Sequence, residues 1–132
     1  MFLTSLSDQE KKCFCSLLLA AVTEDSSISD GEVDGLVRYR RELDVSVISD
    51  DLSYEEAASW LSAHSSELTK RSVLLELATL LYSDAVVTGE ESDLLKDVAR
   101  RFNIGNLKDY VDQGKKLSEA YASAYKLFDG LF

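Results

Sequence analysis

Apolar residues recur at three- and four-residue spacing along most of this chain, and the period predicts helices rather than strands. The predicted helices span about 8–24, 30–43, 54–65, 68–82 and 89–102, with a last segment starting near Asn106. Four of these starts carry Ser/Thr-x-x-Glu: Ser7–Glu10, Ser29–Glu32, Ser53–Glu56 and Thr88–Glu91. In such a capping box the hydroxyl accepts from the backbone N–H three residues on, and the glutamate reaches back to the cap. On the 54–65 segment, Ala57, Trp60, Leu61 and His64 fall on one stripe. On 30–43 the apolar face is Val33, Leu36, Val37 and Leu43; on 89–102 it is Leu94, Leu95, Val98 and Phe102. The stretch 44–52 reads as a connection anchored by Val45 and Ile48.

Two runs differ from the rest. Phe14–Val22 and Val73–Tyr82 are apolar nearly all round, the mark of helices buried on most sides, while 30–43 and 89–102 are amphipathic and belong outside them. The last segment continues through Leu117, Ala120, Tyr121, Ala124 and Phe128, and Gly114 is expected to divide it. The fold expected is all-α, a single compact bundle of six or seven helices over 1–132. The absence of proline fits that reading.

Composition narrows the function. With 24 acidic against 14 basic residues the formal charge is −10, which disfavours nucleic acid and anionic membrane as partners. No apolar run approaches the ~18 residues of a membrane span. The opening Met-Phe-Leu-Thr-Ser lacks the basic region of a signal peptide, so a cytoplasmic protein is expected. Cys13 and Cys15, two apart on a helix, are expected to be buried and unpaired.

The chain also aligns with itself. Shifted by 59 residues, 18–45 matches 77–104 at Leu18/Leu77, Asp25/Asp84, Glu32/Glu91, Asp34/Asp93, Leu36/Leu95 and Arg41/Arg100. The order is the same in both copies: apolar helix, Asp, a β-branched residue three later, a hydroxyl cap, Glu, amphipathic helix. This predicts a duplicated helical hairpin, with repeat halves of about 8–45 and 67–104 followed by a C-terminal helical segment over 106–130.

At these residues the sequence resembles a known family. Asp84-Ala-Val-Val-Thr-Gly-Glu-Glu91 looks like the signature of the TerB-like (tellurite-resistance) domains, and Asp25-Ser-Ser-Ile-Ser-Asp-Gly-Glu32 is similar in its first half. The resemblance covers roughly 10–104. The glycine usual after the aspartate is Ser26 in one copy and Ala85 in the other. The resemblance implies an all-helical fold, a divalent-metal site built from acidic residues and a link to stress response.

The residues themselves suggest a related chemistry. Asp25 and Asp84 follow the carboxyl ends of the two apolar helices, where the helix dipole disfavours an anion by roughly 0.3–1 kcal/mol. If the two bends meet, Asp25, Glu32, Asp84 and Glu91 supply oxygen ligands for a divalent cation, with Ca²⁺ or Mg²⁺ favoured. The same residues have metal-free roles. Glu32 and Glu91 suffice as capping-box glutamates, and the aspartates can form Asx-turns or pair with Arg41 and Arg100. An EF-hand at Asp25 fails, because its sixth position is Asp30 rather than Gly and its twelfth is Leu36 rather than Glu.

Charge is uneven. Residues 1–66 hold 13 acids and 5 bases, whereas 67–132 hold 11 and 9. That gives an alternative function, a metal-free acidic protein–protein interaction module docking a basic partner. His64 is expected to be a partly buried structural residue. Tyr121, Tyr125 and Phe128 are expected to be core or helix-packing residues, or an interaction patch if exposed. No phosphate loop, nucleophile elbow or His-Glu-x-x-His motif is present, so no enzymatic activity is expected.

Overall fold

A computed structural model of the chain describes residues 6–23, 52–82 and 89–128. Among these the protein is all-helical. The elements are α1 (Asp8–Thr23), α2 (Tyr54–His64), α3 (Glu67–Leu81), α4 (Gly89–Arg101) and α5 (Leu107–Tyr125), closed by a 3₁₀ turn at Lys126–Phe128. The helix expected over 30–43, the connection before residue 52 and the boxes Ser29–Glu32 and Thr88–Glu91 lie outside the described residues.

Hydroxyl caps set the starts of α1, α2 and α3. Ser7 Oγ accepts the Glu10 N–H at 3.2 Å, and Glu10 Oε1 accepts the Ser7 N–H at 3.0 Å, a reciprocal capping box. Ser53 Oγ accepts the Glu56 N–H at 3.1 Å, but its box closes differently, the hydroxyl itself donating to Glu56 Oε1. A third cap has no glutamate: Ser66 Oγ accepts the Thr69 N–H at 3.1 Å and starts α3. At the other end of α4, Asn103 takes φ 57°, where an L-residue is tolerated best as Asn. The Ile104 N–H then reaches the Ala99 carbonyl at 2.8 Å and the Asn103 N–H reaches Arg100 at 3.1 Å, a Schellman ending that turns Ile104 into the core.

The core is built on α1 and α3, as the all-round apolar runs predict. Phe14, Leu17, Leu74, Leu77, Leu80 and Leu81 are fully buried, joined by Leu61 from α2, Leu95 from α4 and Phe102 just after it. Each contributes roughly 1.5–3 kcal/mol by leaving water. Cys13 and Cys15 are both buried, so α1 is covered on two sides.

Two expectations change. Gly114 does not divide α5, which is continuous; a Cβ there would come within 2.9 Å of the Ala78 carbonyl carbon and 3.0 Å of the Thr79 nitrogen. The glycine lets α5 lie directly on the backbone of α3, and among the described residues these two helices make the widest contact. His64 is exposed rather than partly buried. The buried face of α2 is Ala57, Ala58 and Leu61, so the stripe is centred away from His64, whose ring stacks on the half-buried Trp60 at 4.8 Å.

Candidate functional site

Of the four carboxylates singled out by the sequence, Asp25 and Asp84 follow the two buried helices along the chain, and Glu32 and Glu91 come seven residues after each. Helix α1 ends at Thr23, two residues before Asp25, and α3 ends at Leu81, three before Asp84. Neither helix has a basic residue in its last turn, whereas α4 finishes on Arg100 and Arg101. Asp25, Glu32 and Asp84 themselves lie outside the described residues; Glu91 falls in the first turn of α4 with its side chain outside them. Among the described residues no group of three His, Cys, Asp or Glu side chains gathers to hold a metal ion.

At the opposite end of the core, Glu10 does more than cap. Its Oε2 accepts the Ser65 hydroxyl at 2.6 Å, so the first turn of α1 is fastened to the short link between α2 and α3. Burial acts to raise the Glu10 carboxyl and is the largest influence, but the hydrogen bonds from Ser65 and Ser7 together hold it below its ordinary value. The starts of α1 and α3 are thus neighbours.

A polar cluster that sequence reasoning did not find joins α2 to α4. The Tyr54 hydroxyl donates to Asp97 Oδ2 at 2.5 Å, and Arg101 Nε donates to the same oxygen at 2.7 Å. Arg101 Nη2 also donates to Glu55 at 2.6 Å, and Arg100 pairs with Asp97 Oδ1. The Ser62 hydroxyl closes the group on the Arg101 carbonyl at 2.7 Å. The Tyr54 hydrogen bond, against the opposing effect of burial and with help from the arginines, lowers the Asp97 carboxyl to about 2. Burial, and then the bond to Asp97, pushes the Tyr54 phenol well above its ordinary value. Both oxygens of Asp97 are taken up by donors and Tyr54 stays protonated, so the cluster holds two helices together rather than moving a proton. Residues 43 apart, from two different helices, leave no periodic trace in a sequence.

The other missed residue is Glu76. It sits at 0% exposure in the middle of α3, with the Tyr121 hydroxyl of α5 donating to its Oε1 at 3.2 Å. Its signal was present, as the lone acid inside the apolar run Val73–Leu81. Tyr121 is half-buried, as the sequence expected for a packing residue.

No helix among the described residues is long and apolar enough to cross a membrane. No family model, curated protein or solved structure matches this chain.

Proposed function

We propose that this chain is a non-enzymatic, TerB-like cytoplasmic domain, a bundle of six or seven helices with a duplicated hairpin, that binds a divalent cation through Asp25, Glu32, Asp84 and Glu91. The observation that carries the reading is the shared ending of α1 and α3, two buried helices that stop without a basic residue and are each followed within three residues by an aspartate. A dipole end and an acid of the same sign call for a cation from elsewhere. Further support comes from the repeat register, since Leu18 and Leu77 are both buried, as are Ala21 and Leu80. The joined starts of α1 and α3 also favour a common exit, because the helices are in contact and differ in length by one residue. An accessory role in stress response follows from the TerB resemblance alone.

A second reading, the metal-free acidic interaction module, has its own support. Where the capping glutamates are described, at Glu10 and Glu56, they are engaged by their cap serines, and Glu32 and Glu91 occupy the same motif position. Thermal denaturation of chelated protein separates the two. The cation reading expects Ca²⁺ or Mg²⁺ at a hundred times its dissociation constant to raise Tm by roughly 8–12 °C. Asp25→Asn with Asp84→Asn should abolish that rise. A Tm unmoved by either ion overturns the cation reading and leaves the acidic module, which then requires salt-sensitive binding to a basic partner.

A further inference from the structure

Helix α5 is two different things along its length. Its inner part is seated: Gly114 lies on the Ala78–Thr79 backbone, Tyr110 accepts from Arg71 at 3.1 Å and Lys115 stands 5.0 Å over the Tyr82 ring. Its outer part is mostly in water. Lys116, Glu119, Ala120, Ala122, Ser123 and Ala124 are exposed, and Leu127 just beyond is 81% exposed. Tyr121 turns inward from this stretch, onto the buried Glu76. A helix of about ten residues has little stability of its own, and Gly114 is a weak internal position just before it, so the outer part depends on what it touches.

We propose that residues 116–125 form a strap that opens from α3 as a unit about Gly114, latched shut by the hydrogen bond from Tyr121 to Glu76. Opening uncovers the side of Glu76 that Tyr121 now faces. The pivot follows from packing. At Gly114 the helices meet backbone to backbone, a contact dense enough to stay closed while the thinner contact beyond it parts.

Native-state hydrogen exchange on the full chain, read by mass spectrometry, tests this. In the unaltered protein the amides of 118–125 should exchange through a shared local opening at least roughly tenfold faster than those of 108–114. Tyr121→Phe should speed 118–125 by a further roughly five- to tenfold, the size of one hydrogen bond, and leave 108–114 within about twofold. The proposal is overturned if 118–125 of the unaltered protein exchange only with global unfolding. It is equally overturned if Tyr121→Phe changes neither half or speeds both alike. The measurement on the unaltered chain decides the question even if the variant does not fold.

Discussion

The α2–α4 seam and the α3–α5 seam join neighbouring helices by opposite means. Between α2 and α4 the joint is a set of charged and hydroxyl side chains at the rim, with Asp97 receiving Tyr54, Arg100 and Arg101 while its side chain remains a quarter exposed. Between α3 and α5 the joint is backbone against backbone at Gly114, with one carboxyl group, Glu76, shut inside. Water screens the first and is excluded from the second. Rim charges can therefore be removed at small cost, whereas the inner seam tolerates neither added volume nor a polar group left without a partner.

Breaking the inner seam should have the largest effect. Gly114→Leu places a side chain where even a Cβ meets the Ala78 backbone, and urea denaturation should show a loss of about 3 kcal/mol or more. Gly114→Ala should lose about 1 kcal/mol, the clash outweighing the gain in helix propensity.

The rim seam is best probed by pH. Its folded-state Asp97 carboxyl titrates near 2, below the ordinary value of 3.8, so the stability it provides is complete above about pH 4 and is lost as pH falls toward 2. With a discount for its exposure this amounts to about 1–2 kcal/mol. Asp97→Asn should flatten the slope of stability against pH in that window, and an unchanged slope would mean that the cluster does not bear on folding. Glu10, also held low, adds a slope of the same sign that this variant leaves in place.

Two smaller changes sharpen the contrast. Ser53→Ala removes the cap of α2 and should cost about 1 kcal/mol at any pH near neutral. Arg100→Ala, which removes a guanidinium that is three-quarters exposed, should cost no more than about 0.5 kcal/mol, with the difference vanishing in high salt.

Helix starts were legible because a cap is a local transaction between residues three apart. Ser7 and Ser53 were found with their glutamates, and Ser66 was missed only because its partner three residues on is a threonine. The two central helices were legible because a run without a polar face has nowhere to go but inside. His64 was misplaced because the stripe gives a direction but not the edge of the neighbouring surface. Gly114 was read as a break because helix propensity counts a glycine against the helix, and the contact that rewards it comes from Ala78 of α3, thirty-six residues away.

The sequence by itself determined the all-helical character of the described residues, the starts of α1 and α2 and the burial of α1 and α3, since each follows from spacings of three or four residues along one chain. Only the tertiary structure decided that Tyr54 meets Asp97, that Tyr121 meets Glu76 and that α5 rests on Ala78. Those contacts join residues 36 to 45 positions apart, and no periodicity reaches across that distance: which helix faces which is settled by the shapes of the surfaces that fit.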